Sequence, residues 1–495
     1  MKAKKLAALL LTLVLALGLI PMGAMAAQTT VTPTSTASIT VNNAVENDVF
    51  AAYKVVDISY DAGNNTLTKV WNTNFANYFT GTTVEQFAAL KDEAKAQDLK
   101  NLLAGLPQYI ATNSIAPVKE ATATGTPAAT ATFADLDMGE YFIRPTSTTS
   151  VYQLMLQKIE PTVANVGGVE KYVIDDVTFN AKHKEVNVTK SADKTSVTKN
   201  EKVAYTITVD IPTYLDEATD KTFYVSDLLP DGLTIDTDSI KVKVNGAAVD
   251  AGAYTLDTTA TNEYTFKLSV SNAQYAGWKA NAGINPLVIT YTAKLNEGDT
   301  TAVNTPETNT VKFDYSNYPY VASHVYKTAS VDVTTFAIKV DKYKDGSKGT
   351  KLANAKFDLY REAYPGETGE QIVKIPHKNV DGVKLGSGTT DENGTYTFEK
   401  YEANGNKYKY YLVETQAPSG YNLLTDAVEV HFTDDEAKAN EGIYTVEVPN
   451  SSGIQLPVTG GMGTIIFTVI GIALMAGAVV LLVFSRKKAK TDGNK

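Results

Sequence analysis

The segment Val203-Ala204-Tyr205-Thr206-Ile207-Thr208-Val209 decides how the middle of this chain folds. Apolar and polar residues alternate strictly, and a strand turns successive side chains to opposite faces, so one face is made for a core and the other for water. The same rhythm returns in Ile240–Val244, Tyr264–Val270 and Leu287–Leu295. Turn-forming clusters separate these runs, among them Pro230-Asp231-Gly232 and Val244-Asn245-Gly246. One-faced strands joined by tight turns predict an antiparallel sandwich, here over residues 182–334.

Toward the C-terminus, residues 335–450 repeat the pattern in a shorter frame, with turns at Lys344-Asp345-Gly346 and Glu392-Asn393-Gly394, and predict a second sandwich. Toward the N-terminus, residues 27–181 are rich in Thr and Ala and hold strand-like stretches at Val49–Ile58 and Glu140–Arg144. They also contain an amphipathic pattern over Val84–Leu103, where Phe87, Leu90, Ala94 and Leu102 fall near helical spacing, so this region is expected to be mixed. Thr, Val and Tyr are abundant and helical periodicity is scarce, which makes the chain mainly β.

Composition removes several functions. The absence of cysteine excludes disulfides, Cys-zinc sites and thiol catalysis together. A net charge of −10 argues against nucleic acid as a partner. His183, His324, His377 and His431 lack metal-ligand spacing, and no nucleophile elbow or phosphate-cradling glycine loop is present. Neither a metal, a cofactor nor enzymatic turnover is expected.

The two ends carry targeting signals. Lys2, Lys4 and Lys5 precede an apolar run from Leu6 to Ile20, and Ala24-Met25-Ala26 supplies a small-x-small cleavage pattern, so residues 1–26 read as a secretory signal peptide. At the other end, residues 451–495 hold Leu456-Pro457-Val458-Thr459-Gly460, an apolar run from Thr464 to Phe484 and the cations Arg486-Lys487-Lys488. The run is long enough to cross a bilayer as a helix, with its cations on the cytoplasmic side. Pentapeptide, span and basic tail together resemble the cell-wall sorting signal of Gram-positive surface proteins. The resemblance implies that a sortase cleaves between Thr459 and Gly460 and passes the threonine acyl group to an amine.

The sharpest constellation lies in residues 335–450. Phe336-Ala-Ile338-Lys-Val340-Asp-Lys342-Tyr343 opens it, Tyr410-Tyr-Leu412-Val-Glu414-Thr-Gln-Ala-Pro418-Ser-Gly420-Tyr421 follows, and Tyr444-Thr-Val-Glu-Val-Pro-Asn450 closes it. These motifs resemble the collagen-adhesin B-type, prealbumin-like domains of Gram-positive adhesins and pilins, with residues 414–421 matching their E-box. The resemblance implies an isopeptide bond between a first-strand lysine and a last-strand asparagine. Its chemistry needs a desolvated amine, an asparagine carboxamide and a carboxyl that polarises the amide and shuttles protons. Strand parity puts Lys342 on the face of Phe336, Ile338 and Val340, and Glu414 on that of Tyr410 and Leu412. Lys342 and Asn450 are the expected pair and Glu414 the acid; Lys339 is the competing lysine, of outward parity.

Residues 182–334 repeat the logic. Val186-Asn-Val188-Thr-Lys190, Tyr224-Val-Ser-Asp227-Leu-Leu-Pro230-Asp-Gly232 and Asn309-Thr-Val-Lys-Phe313 resemble the Ig-like middle domain of backbone pilins. This implies a Lys190–Asn309 bond with Asp227 as the acid, with Asn304 as the alternative to Asn309. Backbone pilins also carry, at this junction, the lysine that a sortase joins to the next subunit. Lys182 occupies a matching place and Lys184 is the alternative, although Asn180-Ala181 stands where the family has Tyr-Pro. The implied protein is the backbone (major) subunit of a secreted, wall-anchored pilus, with sortase, further subunits and peptidoglycan as partners. The alternative is a monomeric wall-anchored adhesin that binds a host surface ligand through its N-terminal domain.

Overall fold

In the computed structural model, which describes residues 29–126, 128–281, 285–405, 407–452 and 462–491, the decisive segment lies in the strand Lys202–Val209. Its alternate residues Val203, Tyr205, Ile207 and Val209 are buried. The signal peptide and the pentapeptide Leu456–Gly460 lie outside the described residues. Two compact units divide the chain. The first comprises the chain up to Lys194 with Asn200–Asp299 and Glu307–Asp332; the second comprises Thr195–Lys199, Thr300–Pro306 and the chain from Val333 onward.

Within the first unit, the N-terminal part is mixed. Strands Thr66–Trp71, Val49–Asp61, Gly139–Ser147 and Met155–Ile159 lie side by side, with Lys119–Thr122 also paired to Val49–Asp61. Trp71 stacks on Phe79 with ring centroids 3.9 Å apart and meets Phe87 edge-on, which seats a helical layer on the sheet. The helix expected over Val84–Leu103 is broken into Val84–Ala89, a 3-10 turn at Glu93–Lys95 and Ala96–Ala104. The Asp92 carboxylate accepts the Ala94 N–H at 3.1 Å, so it caps a new turn instead of continuing the old one. Phe87, Leu99 and Leu103 fill the core, while Ala94 is exposed.

Further along the same unit, two five-stranded sheets carry the middle of the chain. One orders Val188–Ala192, Lys202–Val209, Leu287–Leu295, Leu233–Val244 and Ala247–Ala248. The other orders Thr255–Asp257, Phe266–Val270, Phe223–Leu228, Glu307–Ser316 and His324–Val333. Asn245 and Gly246, at φ 50° and 80°, make the tight turn between Val244 and Ala247.

The second unit is a sandwich. Phe336–Lys344 pairs antiparallel with Thr395–Tyr401 and, on its other side, parallel with Ile443–Asn450, so the first and last strands of residues 336–450 are neighbours. Its other sheet orders Ile372–Lys374, Asp381–Thr389, Lys356–Glu362, Tyr410–Gln416 and Val428–Val430. Phe336, Ile338, Val340 and Val448 meet Phe357, Leu359, Tyr410 and Leu412 in one core.

A last helix runs Met462–Thr491 and contains the apolar run Thr464–Phe484. Among the described residues no helix is long and apolar enough to cross a membrane. Along this last helix Val469, Leu474, Leu481 and their neighbours are exposed.

Candidate functional site

The parallel register sets Lys342 opposite Val448 and Lys344 opposite Asn450, and inward parity turns Lys342 and Asn450 into the same core. There the Lys342 Nζ donates to Asn450 Oδ1 at 2.7 Å. Asn450 Nδ2 donates to both Glu414 oxygens at 3.1 and 3.2 Å, and Glu414 Oε1 lies 3.2 Å from Lys342 Nζ. The Leu424 N–H, 2.9 Å from Glu414 Oε2, holds the carboxylate in place. The Lys342 and Glu414 side chains are 0% exposed. Burial pushes the Lys342 amine below the ordinary lysine range, against the opposing pull of Glu414. Lys339, of opposite parity, is half-exposed. Gly394 supports the lysine from behind: at φ 72° it accepts the Lys342 N–H at 2.8 Å, and a Cβ there would lie 2.4 Å from the Lys342 carbonyl.

A second buried constellation occupies the first unit. Lys190 comes from one sheet, and Asp227 and Asn309 come from the other. Lys190 Nζ donates to Asp227 Oδ1, and both side chains are 0% exposed. Burial brings the lysine down to about 8 and pushes the aspartate up. The tyrosine Tyr291 stands between these groups. Its hydroxyl accepts from Lys190 Nζ at 2.9 Å and from Asn309 Nδ2 at 2.8 Å, and donates to Asp227 Oδ2 at 2.6 Å. Sequence reasoning missed Tyr291, although its parity in Leu287–Leu295 already points it inward with Ile289 and Ala293. Asn304 belongs to the second unit, where its N–H donates to the Thr335 carbonyl at 2.8 Å, and it does not join Lys190. Gly232 brings the turn after Asp227 against Glu307, two residues from Asn309; a Cβ there would lie 2.6 Å from the Glu307 carboxylate.

In the C-terminal constellation an amine that burial drives toward its neutral form faces a carboxamide, with a carboxyl within reach of both to move protons. In the middle one the amine meets the carboxyl, and the Tyr291 hydroxyl links both to the carboxamide. Among the described residues no cluster of three His, Asp or Glu is placed to hold a metal ion.

The junction lysines sit in a fixed segment. Val177–Asn180 pairs parallel with Thr36–Ala44, and the Ala181 N–H continues the ladder to Asn42 O at 2.8 Å. The Lys182 carbonyl accepts the Gln153 N–H at 3.0 Å, and His183 and Lys184 pair with Tyr152 and Val151. Lys182 is half-buried and Lys184 exposed. At the other end of the chain, the Asn422 N–H donates to Ser451 O at 3.1 Å, and Tyr421 bridges to Ser452.

Two family models match the C-terminal part of the chain. Residues 337–446 match the SpaA prealbumin-like fold domain, and residues 448–490 match the LPXTG cell wall anchor motif. The trypsin-resistant surface T6 protein of Streptococcus pyogenes serotype M6 is 25% identical, over 58% of this chain and 65% of that protein, so the match spans just under two thirds of the relative's length. The solved T6 backbone pilin of serotype M6 Streptococcus pyogenes, described as a modular three-domain structure, superposes with a TM-score of 0.55 at 21% identity, covering 80% of each chain. The full-length major pilin SpaD of Corynebacterium diphtheriae superposes with a TM-score of 0.54 at 19% identity, covering 86% of this chain and 99% of that one. The chain therefore has the fold of Gram-positive major pilins, built around a SpaA-type prealbumin-like domain and carrying an LPXTG cell wall anchor motif.

Proposed function

We propose that this chain is the backbone subunit of a covalent surface pilus, secreted and anchored to the wall through its LPXTG motif. The observation that carries the reading is the buried Lys342–Glu414–Asn450 constellation, which joins the neighbouring first and last strands of residues 336–450 just ahead of the anchor motif. In this reading the chain has three domains, 27–181, 182–334 and 335–450, and two intramolecular isopeptide bonds, Lys342–Asn450 and Lys190–Asn309. Each bond forms when the lysine amine attacks the asparagine Cγ and ammonia leaves, with Glu414 or Asp227 moving the protons. A sortase cleaves after Thr459 and transfers its acyl group to Lys182 of another subunit, and the finished fibre passes to peptidoglycan. The two bonds carry tension through the subunits, and the chain itself catalyses only its own single-turnover maturation.

The test is a cell-wall extract probed for this chain. A ladder of high-mass species that collapses to monomer in Lys182→Ala supports the pilus. Retention of the ladder in Lys182→Ala with loss in Lys184→Ala moves the attachment point by two residues. A single monomeric band in the wild type rejects the polymer in favour of a wall-anchored adhesin.

A further inference from the structure

The two buried constellations differ in how the acid reaches the amide. Glu414 accepts directly from Asn450 Nδ2. Asp227 is one methylene shorter, and among the described residues no hydrogen bond runs from it to Asn309. The Tyr291 hydroxyl fills that gap, in contact with the amine, the acid and the leaving nitrogen at 2.9, 2.6 and 2.8 Å. Its ring cannot swing away: it stacks on Tyr205 with centroids 5.3 Å apart and is met edge-on by Phe266 at 5.3 Å.

We propose that Tyr291 is a catalytic residue of the middle site, relaying a proton from Asp227 to the departing amide nitrogen of Asn309. The inference rests on the Lys190–Asn309 bond proposed above. The steps balance as follows. Lys190 passes one proton to Asp227 and attacks Asn309 Cγ as the neutral amine, forming the Nζ–Cγ bond. Tyr291 gives its proton to Nδ2 and takes one from Asp227. The Cγ–Nδ2 bond breaks, ammonia leaves, and the second proton lost by Nζ returns Asp227 to its acid form. Tyr291 ends as it began, a neutral phenol. Burial and the adjacent Asp227 hold its hydroxyl well above the ordinary tyrosine range, so it keeps the proton it must deliver.

The experiment compares the full-length wild-type chain with Tyr291→Phe and Tyr224→Phe. Branched peptides at 190/309 and 342/450 are quantified by mass spectrometry at fixed times after synthesis. The relay predicts that Tyr291→Phe forms the 190/309 peptide about 100-fold more slowly or not at all, with the 342/450 peptide intact as a folding control. Tyr224→Phe, at a half-buried position of outward parity, should leave both intact. Wild-type kinetics at 190/309 in Tyr291→Phe would overturn the relay and leave the bond standing. Absence of the 190/309 peptide from the wild type would overturn the bond itself. Should Tyr291→Phe also lose the 342/450 peptide, 3-fluorotyrosine at 291 decides the matter. Its more acidic hydroxyl keeps the ring in place, so a changed rate and pH profile support the relay, and an unchanged rate overturns it.

Discussion

Replacing Glu414 by Gln tests the C-terminal bond with little change of shape. The amide keeps the side-chain volume and can still accept the Leu424 N–H, but it cannot move protons between Lys342 and Asn450. Maturation should therefore stop at the unbonded pair. The proposed bond would close a loop whose ends are 108 positions apart, removing about 4.7 kcal/mol of unfolded-chain entropy by the loop-closure estimate. At about 4 °C per kcal/mol for a domain of this size, losing it lowers the midpoint of the corresponding transition by about 20 °C. The buried Lys342 amine, deprived of its carboxylate, deepens the loss. The assay is differential scanning calorimetry of the full chain, with a peptide map of the same sample. Glu414→Gln should lack the branched 342/450 peptide and retain the mass of one ammonia, and Lys342→Met should lack the bond as well. Wild-type yields of the branched peptide in Glu414→Gln would refute the role of the carboxyl. A midpoint within about 5 °C of wild type despite the missing bond would refute the stability argument.

Other outcomes follow from the same geometry. Burial lowers Lys190 to about 8, whereas a solvated lysine sits near 10.4, so the folded chain binds fewer protons than the unfolded chain between those values. With the bond blocked by Asn309→Ala, stability relative to the Asn309→Ala, Lys190→Met double variant should rise with pH from about 8 to about 9.5, below the range where unfolded tyrosines ionise. Urea titrations at several pH values would show it, and a flat or falling difference contradicts it. In the wild type, the 190/309 peptide should form more slowly as the pH rises past about 8, because the buried pair then loses to solvent the proton that Asp227 passes on, read by quenched time courses. Gly394→Ala forces a side chain into a left-handed conformation against the Lys342 carbonyl. It should cost about 3 kcal/mol in urea unfolding and slow formation of the 342/450 bond.

Much of this was legible in alternation alone. Period-two parity turned Lys342, Glu414, Asn450 and Asn309 inward, because a strand that buries Val340 or Val311 must also bury the residue two positions away. Parity does not say which inward residues meet across two sheets, so Tyr291 looked like any core aromatic. Nor could it show that Thr195–Lys199 and Thr300–Pro306 group with the second unit, since loop docking leaves no period in the sequence. The broken helix at Asp92 failed for a local reason: the apolar spacing continued, but a carboxylate in position to bond Ala94 N–H won the backbone.

The parallel pairing of Phe336–Lys344 with Ile443–Asn450 has a mechanical consequence. The chain enters this sandwich at the start of one strand and leaves it at the end of its parallel neighbour. A pull on the two ends therefore slides the strands along each other, and the whole ladder from Ala337↔Ile443 to Lys344↔Asn450 is loaded at once instead of opening rung by rung. Such a ladder is stiff in shear even before any covalent link exists. The proposed Lys342–Asn450 bond, at the trailing end of both strands, would then act as a backstop that keeps a brief rupture from becoming a lost strand.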